Sequence, residues 1–185
     1  MNKPSEIMPL AAKICGLNDP AAMDAAVTGG ASYVGLVFYP RSPRAVTPTQ
    51  ARELAALVPP AVQTVGLFVD PDDGLLDTVL AQVPLDLIQL HGEASPERVA
   101  GIKAHTNLAA MKAIKVAKRA DLDLADDYDE VADMLLFDAK APTDLADALP
   151  GGNGLVFDWN LMTGRQWRRP WMLSGVLDAG NVAQA

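Results

Sequence analysis

Short apolar runs recur along this chain, each followed by a polar turn and then a helix-type stretch. The run AAKIC ends at Cys15 and gives way to Gly16-Leu17-Asn18-Asp19, where Asp19 caps and Pro20 opens a helix that stops at Gly29-Gly30. SYVGLVFYP leads through Arg41-Ser42-Pro43-Arg44 to Thr47-Pro48, the same cap-then-proline pair, and a helix through Leu57. VQTVGLFVD precedes Pro71-Asp72-Asp73 and a helix to Gln82. LDLIQLHG precedes Ser95-Pro96-Glu97 and a helix to His105.

The fifth run, NLAAMKAIKV, is followed by a charged segment from Lys118 to Asp129, expected as solvent-facing helix or loop. The sixth, DMLLFDA, opens a longer connection through Pro142, Pro150, the cluster Gly151-Gly152-Asn153-Gly154 and Phe157-Asp158-Trp159-Asn160. The seventh, RPWMLSGV, precedes Leu177-Asp178 and the start of a helix, NVAQA. Strands that each feed a helix before the next strand must be parallel, and a parallel sheet covered on both faces produces continuous apolar runs. The class is α/β. An open doubly wound sheet and a (β/α)8 barrel compete, and 185 residues fall short of the roughly 250 typical of the barrel. Against that, polar residues follow nearly every strand (Cys15, Arg44, Asp70, His91, Asp138, Ser174), which suits a ring of strand ends around one central site.

With 50% hydrophobic and 21% charged residues, the chain reads as one globular domain over residues 1–185. A net charge of -8 disfavours nucleic acid, so a small anionic ligand would need local donors that overcome the overall field. The single cysteine excludes an internal disulfide and fits a reducing compartment. The apolar stretch near the start is shorter than a signal peptide's core or a membrane span, so a cytoplasmic chain without a membrane partner is expected.

Five places could carry chemistry. Cys15 closes a strand, and Lys13, two residues back, shares its side; a thiol beside a cation is a better nucleophile or base, whereas an isolated one is commonly a small core residue. Asp138 ends the apolar run Met134-Leu135-Leu136-Phe137, where partial desolvation would suit a general acid; a cap or a surface carboxylate is the plainer reading. Arg44 and Arg41 are equal candidates for gripping a carboxylate or phosphate. His91 shares a strand face with Gln89, and the pair could meet a ligand or satisfy barrel polar groups. His105 lies near a helix end, too far along the chain to form a metal site with His91. The Gly151–Gly154 cluster could bring backbone N–H groups to an anion, although glycines more often mark turns. No GxGxxG or Walker sequence occurs, and no cofactor or metal is expected.

In order and spacing, KICG, GLVFYPRSPR, VGLFVD, IQLHG, the FDA strand end, GGNGLVFDW and WMLSG resemble the phosphoribosylanthranilate isomerase family of tryptophan biosynthesis, from Lys13 to Gly175. The resemblance implies a (β/α)8 TIM barrel of which about seven units are visible, with the eighth strand and its phosphate loop beyond Ala185. It implies an Amadori rearrangement of N-(5-phosphoribosyl)anthranilate to 1-(o-carboxyphenylamino)-1-deoxyribulose 5-phosphate, with Asp138 as general acid and Cys15 as base. It matches Arg44 to the substrate carboxylate, Gly152 and Gly154 to phosphate binding, and Gly175 and His91 to substrate contacts. A monomer or homodimer is implied. Val176 stands where the family carries a second glycine. Two other readings remain: an inactive truncated barrel that binds a carboxylate or a partner chain through its open edge, and an isomerase of another aminoaldose phosphate. The family of the latter pairs two aspartates, and Cys15 in the first position disfavours it.

Overall fold

The computed structural model describes residues 11–142, 149, 151 and 154–184. Seven parallel strands form one sheet in chain order: β1 (Lys13–Cys15), β2 (Tyr33–Val37), β3 (Gln63–Val69), β4 (Leu87–His91), β5 (Ala109–Val116), β6 (Met134–Ala139) and β7 (Trp171–Leu173). A doubly wound sheet reverses its strand order at a switch point, and this one never does. Inward-facing residues of β1 and β7 line the same cavity, so the sheet curls as a barrel does. Among the described residues β1 and β7 are its two edges, and on them Ile14 and Trp171 are 44% and 45% exposed.

Four α-helices follow the first four strands: α1 (Pro20–Thr28), α2 (Pro48–Ala55), α3 (Asp73–Leu80) and α4 (Pro96–Thr106). Each starts where a side-chain oxygen accepts an otherwise unpaired first-turn N–H: Asp19 from Ala22, Thr47 from Gln50, Asp72 from Leu75 and Ser95 from Arg98. Proline at the first helical position of α1, α2 and α4 sacrifices no hydrogen bond there.

The remaining connections differ from expectation. Residues Arg119–Tyr128 form a 3₁₀ segment whose Asp121, Leu122 and Ala125 are buried, so the segment is not simply a solvated face. Its geometry follows from Asp121, whose Oδ2 accepts the N–H groups of Ala117 and Lys118 at 2.9 and 3.0 Å and turns the chain back onto β5. A short 3₁₀ turn, Trp159–Met162, lies within the long connection after β6, and another, Val182–Gln184, stands where the start of a helix was expected after β7. Runs of that length hold one turn at most, too short for the cooperative gain of an α-helix.

Strand parity sorts the core into two layers. Outward residues such as Leu36, Phe68, Ile88 and Leu90 pack against Met23, Leu54, Leu76 and Ile102 of the helices. Inward residues Val65, Leu87, Met111 and Leu136 fill the barrel axis. Both faces are therefore apolar, which is why the strands show no alternation in the sequence. Emptying one such position, as in Leu90→Ala, costs about 2–5 kcal/mol. The inward floor supports the strand ends above it, where the polar residues lie.

Candidate active site

A cavity of about 1100 Å³ occupies the interior, with Cys15, Arg44, His91, Asp138, Ser174 and Gly175 among its walls. Residues from five distant parts of the chain thus meet at one place, because a curled parallel sheet directs every strand's carboxyl end toward the same mouth.

Cys15 and Lys13 point inward from β1, as their two-residue spacing requires. Both lean over Gly35 of β2, the ladder partner of Cys15: a Cβ at position 35 would lie 2.8 Å from the sulfur and 3.1 Å from the lysine Nζ. Gly35 is therefore part of the site's construction. Its one mark in the sequence is a glycine inside the apolar run SYVGLV, a signal of close approach.

Arg44 folds across the end of β1. Its Nη1 donates to the Cys15 carbonyl at 3.3 Å, and its side chain crosses Gly16 so closely that a Cβ there would meet Cδ at 2.7 Å. Gly16 is needed twice over, since its φ of +82° also disfavours any L side chain. Arg41 is exposed on the same loop and lies outside the cavity wall, so the tertiary structure separates two arginines that the residue pattern alone, without the family resemblance, left equal.

Asp138, at the carboxyl end of β6, is 7% exposed and accepts the Ala139 N–H at 3.0 Å. His91, ending β4, is 4% exposed, and its Nε2 lies 2.6 Å from the Gln89 Nε2. Asp138 and His91 converge on Gly151: a Cβ there would fall 2.7 Å from His91 Nδ1 and 3.1 Å from Asp138 Oδ2. Gly151 thus sits over the ends of β4 and β6.

The turn after His91 is pinned from outside the barrel. Lys112 of β5, 3% exposed, donates to the Gly92 carbonyl at 2.8 Å, and its ammonium stands 5.3 Å over the Tyr128 ring. Burial pushes the Lys112 pKa down; the carboxylates of Asp70 and Glu93 oppose that shift, and Lys115 adds to it. Asp70 holds the Glu93 N–H at 2.7 Å and stays outside the cavity wall, which makes it a brace instead of a member of the expected ring of site residues. Lys112 was hidden in an ordinary strand pattern.

The proposed phosphate-facing glycines divide. Gly175, with φ +110°, lines the cavity, and Val176 beside it lines the cavity with φ +51°. Gly154 is exposed and lies outside the cavity wall, whereas Gly151 is part of it. The chain passes outward by residue 154, and that change of course has no trace in the glycine spacing. Gly152 lies outside the described residues.

A parallel curled sheet with an acid, a thiol, an arginine and a histidine gathered at its strand ends has the layout of a barrel-type enzyme, whose sites lie at that face. Residues 12–185 match the model of the N-(5'-phosphoribosyl)anthranilate isomerase family, and the chain belongs to that family. An N-(5'-phosphoribosyl)anthranilate isomerase of Rhodospirillum centenum is 64% identical over 178 residues, covering 96% of this chain and 83% of that protein. The crystal structure of phosphoribosyl anthranilate isomerase from Thermotoga maritima superimposes with a TM-score of 0.81 at 33% identity, covering 95% of this chain and 81% of that one. A solved isomerase in complex with reduced 1-(o-carboxyphenylamino)-1-deoxyribulose 5-phosphate superimposes with a TM-score of 0.79 at 31% identity, covering 95% and 80%. Fold and family agree with the resemblance seen in the sequence.

Proposed function

We propose that this chain isomerises N-(5-phosphoribosyl)anthranilate to 1-(o-carboxyphenylamino)-1-deoxyribulose 5-phosphate. The supporting observation is that Cys15 and Asp138, from strands at opposite ends of the chain, border one cavity large enough for an aryl sugar phosphate. Asp138 gives its proton to the ribose ring oxygen as the furanose opens, and the amine lone pair completes the Schiff base. Cys15 then removes the proton from C2, with the Lys13 ammonium beside the sulfur, and electrons shift to form the enolamine. Tautomerisation to the ketone returns a proton to C1, so the reaction has no net gain or loss of atoms or electrons.

Arg44 faces the anthranilate carboxylate in this reading, offering a planar fork that suits two parallel hydrogen bonds. Backbone N–H groups near Gly175 approach the phosphate, and His91 contacts the substrate beside Asp138. The proton chemistry itself runs through one acid and one base. A cytoplasmic setting belongs to the same reading, because the base is an unpaired thiol.

The test is turnover of phosphoribosylanthranilate by the purified chain, followed as loss of substrate fluorescence. Substrate consumption that depends on Cys15 and Asp138 supports the reading. A folded protein that consumes none favours the inactive carboxylate-binding barrel.

A further inference from the structure

One buried polar group of the barrel has no part in the chemistry above. Gln89 faces inward from β4 in a layer of apolar neighbours, with Leu67 and Met111 beside it across the ladders. It is 2% exposed, and its Oε1 has no hydrogen-bond partner among the described residues. An amide left half-satisfied in such a layer is destabilising relative to an apolar side chain of the same shape, so packing does not explain it. What the amide does have is His91. Nitrogen faces nitrogen at 2.6 Å, and with the amide NH₂ in that position as donor, the histidine Nε2 is the acceptor. The ring proton is thereby placed on Nδ1. That nitrogen lies, with Cε1, on the edge of the ring beside Gly151, where the Asp138 Oδ2 also approaches.

We propose that Gln89 is a positioning residue that holds His91 neutral and in its Nδ1–H form, so that the ring presents a donor at the point where Asp138 and the loop after β6 meet. The inference rests on the reaction proposed above for its kinetic consequence, but not for the state of the ring. An imidazole released from Gln89 would exchange tautomers or take a second proton, and the group beside the acid would change between donor and acceptor.

The chain has two histidines, which makes the ring state directly measurable. The full chain is labelled with ¹⁵N-histidine, and His105→Gln assigns the exposed ring by its disappearance. Wild-type His91 is expected to show a protonated Nδ1 and a bare Nε2. Gln89→Met keeps the volume without the amide, and should give a mixed tautomer. Gln89→Glu, which can only accept through its carboxylate, should move the proton to Nε2 or charge the ring. Gln89→Met should lower kcat about tenfold, the net worth of one hydrogen bond, with KM within about twofold and no loss of thermal stability. A merely structural glutamine would lower the melting temperature and leave kcat alone. A proton on Nε2 in the wild type, or a Gln89→Met kcat within about twofold of wild type, overturns the proposal. If the wild type consumes no phosphoribosylanthranilate, the reaction assignment fails by itself, and the ¹⁵N spectra still decide what Gln89 does.

Discussion

The Cys15 sulfur and Gly35 oppose each other across the β1–β2 ladder so closely that one added carbon at position 35 would lie 2.8 Å from Sγ. The thiol has its place because its neighbour has no side chain. Gly35→Ala should therefore displace the sulfur or the Lys13 ammonium while the ladder survives. Turnover is expected to fall by about 100-fold, the scale of a misplaced reacting group, with a much smaller change in melting temperature. Turnover near wild type would show that the thiol's position is not critical.

Cys15→Ser and Asp138→Asn should each reduce kcat by at least about 100-fold, the low end for positioned acid and base groups. Neither change removes much buried surface, so circular dichroism and the thermal midpoint should stay close to wild type. A variant with ordinary kcat removes its residue from the mechanism.

Arg44→Ala should act mainly on binding. Losing a charge-assisted pair of hydrogen bonds to a carboxylate is expected to raise KM by about tenfold or more. The same substitution also frees the Cys15 carbonyl, so a modest fall in kcat accompanies it. Arg41→Ala, on the exposed part of the loop, should change neither constant. Equal effects of the two variants would return them to the parity they have in the sequence.

Val176 occupies a left-handed backbone conformation, φ +51°, that a β-branched residue adopts at a cost. Val176→Gly should relieve that strain and stabilise the chain by about 1 kcal/mol, after allowance for glycine's greater freedom when unfolded. It also opens backbone N–H groups at the end of β7 to an anion, so KM for the phosphorylated substrate should fall. A higher melting temperature with unchanged KM would place the phosphate elsewhere.

Asp121 links stability to acid. Burial alone would push its carboxyl pKa up, but the N–H groups of Ala117 and Lys118, with the charges of Lys140 and Lys118, outweigh burial and hold it below the ordinary aspartate range. The folded chain then binds the proton less tightly than the unfolded chain. Its contribution is present above the unfolded value, near pH 4, and is lost as pH falls through the lower folded value. Asp121→Asn should be less stable at neutral pH by about 1 kcal/mol. It should also lose less stability than wild type in urea melts taken below about pH 4. Parallel curves for the two proteins would show that the carboxylate gains nothing from its two N–H donors.

The apolar runs and the cap-then-proline pairs were enough to place β1 to β4, α1 to α4 and the parallel order of the sheet. These features are local: a side-chain oxygen three residues before an N–H, or a strand covered on both faces, leaves its mark within a few positions. The same locality placed Cys15, Asp138 and His91 at strand ends, where a curled sheet brings them together. It could not separate Arg44 from Arg41, because that depends on Gly16 leaving room for one of them across β1. It gave no sign that Gly154 turns away from the cavity while Gly151 enters it, or that Asp121 buries a segment composed like a surface. Gly35 under the thiol and Lys112 behind the His91 turn each depend on a partner 20 positions away in the chain. Such contacts exist only once the strands have paired, since their energies come from the approach of groups that no local pattern connects.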